Sequence, residues 1–104
     1  MVMVLVGQSY QVLEADSAPE ALEVSRTFEG AINLLIVDHY LKTMTGGQLA
    51  EQMKKFRPQL KVLHTSGDLR EKLEQEGGLI PGAAFLAKPF LPAALIDKVS
   101  EVLA

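Results

Sequence analysis

Asp38, Thr65 and Lys88 are the residues of this 104-residue chain whose types and places can do chemistry together. Asp38 follows the uniformly apolar run Leu34–Val37, Thr65 with Ser66 ends the run from Lys61, and Lys88-Pro89 follows Ala83–Ala87. Each run reads as a β-strand, and an open α/β sheet builds its site at the carboxyl ends of the strands. One sheet edge would then gather a carboxylate, a hydroxyl and an ammonium. A carboxylate can attack phosphorus and form an acyl phosphate. Such a transfer depends on positioning and charge neutralisation, which a lysine and a hydroxyl partly supply.

Taken singly, none of the three is informative. Asp38 alone is an ordinary turn residue, Thr65 a β-branched strand residue and Lys88 a solvated surface lysine; only their joint placement points to a site. His39 and His64 flank it and invite a metal reading with Asp38. Their strand parity points them away from the site or toward solvent, so no metal is assigned to them.

The elements that must position these residues alternate in period. Tyr10–Ala15 is β-prone. Ser17-Ala18-Pro19-Glu20 reads as a capping box with proline in the first turn. Ala21, Leu22, Val24 and Phe28 then form a helical stripe, with Gly30 as C-cap. After the strand ending at Asp38, a helix over about Gly47–Phe56 places Leu49, Met53 and Phe56 inward, and Pro58 ends it. Asp68 and Glu71 cap a short charged helix over about Leu69–Glu76, read as a solvated face, and Gly77-Gly78 stops it. Pro92–Leu103 closes the chain with Leu95, Val99 and Leu103 on one face. This alternation predicts a parallel sheet with helices on both faces. The opening is ambiguous: Val2, Val4 and Val6 favour a strand turned back through Gly7-Gln8-Ser9, but the same residues suit the end of an amphipathic helix.

Composition narrows the function classes. Apolar residues make up 48% and charged residues 22%, enough for one buried core and too apolar for wholesale disorder. Ten Lys+Arg against thirteen Asp+Glu give a net charge of −3, and no basic stretch interleaves with aromatics, so a nucleic-acid partner is not expected. Cysteine is absent, which removes disulfides and thiol chemistry. The longest apolar run, Met1–Val6, is far too short to span a membrane and lacks signal-peptide features. A Gly-x-Ser-x-Gly elbow and a phosphate-binding glycine loop are also missing, so a hydrolase is not indicated. The expectation is a single soluble, cytoplasmic domain over residues 1–104 that is not an enzyme.

From Tyr10 to Leu103 the sequence resembles the receiver domains of two-component response regulators, most closely those attached to hybrid sensor kinases. LLIVDHYLKTMTGGQLA, KVLHTSG and GAAFLAKPF carry the resemblance, in order and at the usual intervals. It implies a flavodoxin-like doubly wound α/β fold. It makes Asp38 the phosphoacceptor, Thr65 the switch hydroxyl that is drawn inward by the phosphoryl group, and Lys88 the lysine that pairs with it. Phe85 matches the switch aromatic, although packing in the core suits it as well. Pro89 matches a cis proline, Gly46 the loop glycine, and the Tyr40 backbone carbonyl joins Asp38 as a magnesium ligand. A histidine kinase or phosphotransfer protein is the implied donor and a downstream protein the implied target.

Two departures qualify this. The chain opens about 20 residues late, so the family's first strand, with the acidic pair that ligates Mg2+, does not precede Tyr10. The metal site is therefore expected to be incomplete and Mg2+ binding weak or absent. Lys42 also stands where the family usually has proline, adding positive charge near the site. Without a first strand the sheet would split. Met1–Val6 fills the slot in reversed direction and brings the α-amino group to the site edge, or a second chain pairs there as in a homodimer, or the domain is unstable alone. A degenerate pseudo-receiver, acting as a phosphorylation-independent interaction module, is the alternative function.

Overall fold

β1 (Val2–Val6) is the strand on which the sheet depends, because it runs between the two halves of the fold. In a computed structural model, which describes residues 2–6, 11–15, 17–41, 44–67, 70–75 and 83–103, it lies antiparallel to both neighbours. On one side it pairs with β2 (Gln11–Ala15), Val2 opposite Ala15; on the other it pairs with β3 (Ile32–Asp38), Val2 opposite Val37. β4 (Lys61–Ser66) and β5 (Ala84–Ala87) follow β3 in parallel, giving the order β2-β1-β3-β4-β5. The sheet is thus mixed rather than wholly parallel. The opening residues take the strand alternative, in reversed direction, and the fold is the flavodoxin-like α/β architecture. The turn expected at Gly7-Gln8-Ser9, together with Tyr10, Lys42, Asp68, Leu69 and Glu76–Gly78, lies outside the described residues.

Helices cover both faces. α1 (Ala18–Thr27) and α2 (Gly46–Phe56) pack on one side over a core of Val2, Ala21, Ile32, Leu35, Val37, Leu49 and Met53. α4 (Pro92–Leu103) covers the other side, where Leu95, Val99 and Leu103 meet Leu34, Ile36 and Leu63 as their spacing predicts. No residue of α4 is fully buried. α3 (Arg70–Gln75) is not simply a solvated face: Leu73 is fully buried beneath its exposed charged residues.

Caps explain where the helices begin and end. The Ser17 hydroxyl accepts a hydrogen bond from the Glu20 N–H, as the motif predicts. α1 ends on Phe28 rather than Gly30. Gly30 takes φ +136° two residues later, in the turn that feeds β3, a conformation that glycine tolerates. The carbonyls left open there are satisfied from a distance: the Arg57 guanidinium donates to the carbonyl oxygens of Ser25, Phe28 and Gly30. α2 starts one residue earlier than the apolar stripe suggests, because Thr45 and Gln48 form a reciprocal capping box. Phe56 is not a core residue. It is 61% exposed at the last position of α2, while Leu60, only 2% exposed, closes the core at that end.

Deleting residues 1–6 tests the role of β1. The deletion removes fully buried Val2 and leaves facing edges of β2 and β3 without backbone partners. The loss is on the order of several kcal/mol against a typical margin of about 5–15. The variant is expected to lose cooperative unfolding or to oligomerise, read by circular dichroism and size-exclusion chromatography; a cooperative monomer of undiminished stability would contradict this.

Candidate functional site

The parallel registers bring the three chemical residues to one edge. Asp38 is level with Thr65 across β3 and β4, Thr65 is level with Leu86, and Ser66 with Ala87, so Lys88 leaves β5 one residue beyond. Backbone hydrogen bonds fasten the strand ends: His39 N–H donates to the Thr65 carbonyl at 2.9 Å, and Lys88 N–H donates to the Ser66 carbonyl at 2.8 Å. The Lys88–Pro89 peptide is cis, as the resemblance implies.

Side chains complete the arrangement. The Thr65 hydroxyl donates to Asp38 Oδ1 at 2.5 Å, and the Lys88 ammonium meets the same oxygen at 2.7 Å. The Asp38 side chain is 16% exposed and that of Lys88 40%, while Thr65 is fully buried. The Thr65 hydroxyl thus bonds the Asp38 carboxylate directly. Burial pushes the Asp38 carboxyl up, but the hydrogen bonds from Lys88 and Thr65 and the charge of the chain's α-amino group outweigh this. They hold it below the ordinary value of 3.8.

The loop after the acceptor folds back tightly. Gly46 N–H donates to the His39 carbonyl at 2.7 Å, and Tyr40 bridges to Thr45. A Cβ on Gly46 would lie 2.4 Å from the Asp38 carbonyl oxygen, so only glycine lets α2 start this close to the acceptor. The sequence gives this glycine a place in the resemblance but no physical reason.

Other expected residues fare differently. His39 and His64 are both buried, so the solvent orientation allowed by parity does not hold. The His39 ring packs edge-on against Tyr40, with centroids 4.5 Å apart. Phe85 is half-buried and level with His64 in the sheet register. Among the described residues no group of three or more His, Asp or Glu is placed to hold a metal. Magnesium takes roughly six oxygens in octahedral order. Asp38 is the one carboxylate at this edge among the described residues, and its Oδ1 already receives two donors. Among the described residues, these groups alone do not make up an octahedral site.

An open α/β sheet thus gathers a carboxylate, a buried hydroxyl and a lysine at the carboxyl ends of adjacent parallel strands, where such sheets build their sites. The comparisons specify it further. The response regulator receiver domain model matches residues 1–100, and the chain belongs to that family. It is 29% identical over 102 residues to the sensor kinase CckA of Brucella abortus, covering 98% of this chain but 11% of the kinase. It is 27% identical over 103 residues to the response regulator receiver protein CpdR of the same organism, covering 99% of this chain and 84% of CpdR. The crystal structure of a CheY-like receiver domain protein from Methanospirillum hungatei superposes with a TM-score of 0.65 at 30% identity, over 84% of this chain and 68% of that one.

Acid titration checks the electrostatics. The folded chain holds Asp38 below its ordinary pKa, so the ionised carboxylate favours folding above about pH 4. That contribution falls away as the pH drops through the lowered value. In urea unfolding followed from pH 7 to pH 2, the stability advantage of the native protein over Asp38→Asn is expected to shrink below about pH 4. A gap that stays constant over this range would show that Asp38 is not held ionised by its partners.

Proposed function

We propose that residues 1–104 form one phosphorelay receiver domain, working in the cytoplasm, in which Asp38 accepts a phosphoryl group from a histidine kinase or phosphotransfer protein. The observation that supports this most is the convergence of Thr65 and Lys88 on one oxygen of Asp38. A carboxylate oxygen attacks phosphorus of the phosphohistidine, the new O–P bond forms, and the N–P bond breaks with its electron pair leaving on the imidazole. Lys88 then neutralises part of the added charge, near −2. Thr65 hydrogen-bonds a phosphoryl oxygen. Phe85, half-buried, is free to follow β5 by apolar burial alone. The domain catalyses no reaction on another substrate. The signal leaves through protein contacts, to a downstream protein or within a homodimer. Mg2+ binding is weak, because the donors at this edge suit it poorly.

A second reading is a pseudo-receiver that works as an interaction module without phosphate. The Thr65–Asp38 hydrogen bond favours it, since the hydroxyl engages the carboxylate itself.

Intact-mass spectrometry after acetyl phosphate treatment, with and without Mg2+ and with Asp38→Asn as control, separates the two. The expected result is slow, partial addition of one phosphoryl group, absent in the Asn variant and little changed by the metal. Fast, stoichiometric, magnesium-dependent labelling would overturn the weak-metal reading. No labelling at all would favour the interaction module.

A further inference from the structure

At the pole of the sheet opposite Asp38, the amino ends of β3 and β4 border a cavity of about 550 Å3. Ile32 and Asn33 of β3, Leu60 and Lys61 where β4 begins, Phe56 ending α2 and Leu103 ending α4 line it. Its volume is that of an ordinary ligand site.

Three features of its wall are left unmet by the fold. The Phe56 ring is 61% exposed, since Leu60 closes the core in its place. The Asn33 side-chain oxygen is buried without a hydrogen-bond partner among the described residues. A buried acceptor left unpaired is disfavoured, and a donor brought to it would recover that loss. Positive charge also collects here. Arg57 and Lys61 line the cavity, and no acidic side chain does. From Gln52 to Gly67 the chain has four Lys and Arg and no Asp or Glu, against a net charge of −3 overall. Arg57 directs its donors to the carbonyls of Ser25, Phe28 and Gly30, so it contributes charge alone. Lys61 is exposed and gives the Val102 carbonyl one hydrogen bond at 3.0 Å, which leaves two ammonium N–H groups for a ligand.

An apolar surface, an unpaired acceptor and a cation with spare donors call for an apolar side chain, an N–H and a carboxylate close together. The last residue of a peptide chain carries all three around one α-carbon. We propose that this cavity holds the apolar carboxy-terminal residue of a partner protein. Its carboxylate meets Lys61, its amide N–H meets Asn33 Oδ1, and its side chain lies against Phe56 and Leu103. Asn33 and Asp38 share β3 but stand roughly 17 Å apart at about 3.3 Å per residue, so this site does not need the carboxylate edge.

Titration of the whole chain with N-acetyl-L-leucine, followed by backbone amide NMR, tests this. The expected result is saturable shifts at Asn33, Gln59, Lys61 and Leu103, with Thr65 and Lys88 unmoved. Half-saturation should fall near 1 mM, ordinary for a ligand of about a dozen heavy atoms. N-acetyl-L-leucinamide, which lacks the charge, should bind about fivefold more weakly. Lys61→Gln should bring the acid down to the level of the amide and leave the amide unchanged. Phe56→Ser and Asn33→Leu should weaken both probes alike, since both probes carry the side chain and the N–H. Asp38→Asn should bind as the native protein does. An acetylated tripeptide ending in leucine should bind at least as tightly as the single residue. Weaker binding of the tripeptide would show that the cavity admits a free small acid rather than a chain end, and would overturn the proposal. Equal affinity for acid and amide in the native protein, or no saturable shift up to about 10 mM, would overturn it as well.

Discussion

A carboxylate that is 16% exposed has lost most of its water, and everything at the carboxyl edge of this sheet is arranged around replacing it. An ionised group taken from water without partners is strongly disfavoured, and the usual outcome is that it takes up a proton instead. Asp38 stays ionised because two other strands deliver donors to it, the hydroxyl of Thr65 from β4 and the ammonium of Lys88 beyond β5. The carboxylate is thus a cross-link between three segments far apart in sequence as well as a chemical group. Any event that changes its charge changes what holds those segments together.

The rest of the fold can be understood as what that cross-link requires. β3, β4 and β5 must be parallel and in register, which the backbone bonds at His39 and Lys88 secure. α2 must begin hard against the acceptor loop, which Gly46 permits and the Thr45–Gln48 box anchors. β3 itself needs a partner on its other side, and the reversed β1 supplies one. α4 has no fully buried residue and β5 lies at the edge of the sheet. Lys88, which follows β5, ties this edge to Asp38.

Much of this was legible in the sequence because it is local or periodic. The Ser17 cap, the apolar strand ending in Asp38, the Leu49 and Met53 stripe and the span Pro92–Leu103 all follow from neighbours a few residues apart. The placement of Asp38, Thr65 and Lys88 follows from strand ends in a known architecture. What was not legible depends on distance. The reach of Arg57 back to the end of α1 spans about 30 residues and leaves no periodic trace. The exposure of Phe56 depends on Leu60 filling the end of the core first, and the burial of Leu73 on what α3 packs against. Both histidines are buried because of the layers around them, which strand parity alone does not reveal. The Thr45–Gln48 box was visible in the sequence, and the apolar stripe, which points to a later start, obscured it. The inward Thr65 hydroxyl follows from a rotamer that no spacing encodes.

The measurement that reaches the centre of this is a comparison of backbone amide NMR spectra for the native protein and Asp38→Ala. With the carboxylate as the common acceptor for Thr65 and Lys88, its removal should shift amides in all three segments together: His39 beside it, Ser66 at the end of β4, and Ala87 and Lys88 after β5, with smaller changes along α4. Perturbation confined to the immediate chain neighbours of residue 38, with Ser66, Ala87 and Lys88 unchanged, would contradict a carboxylate that ties these strand ends together.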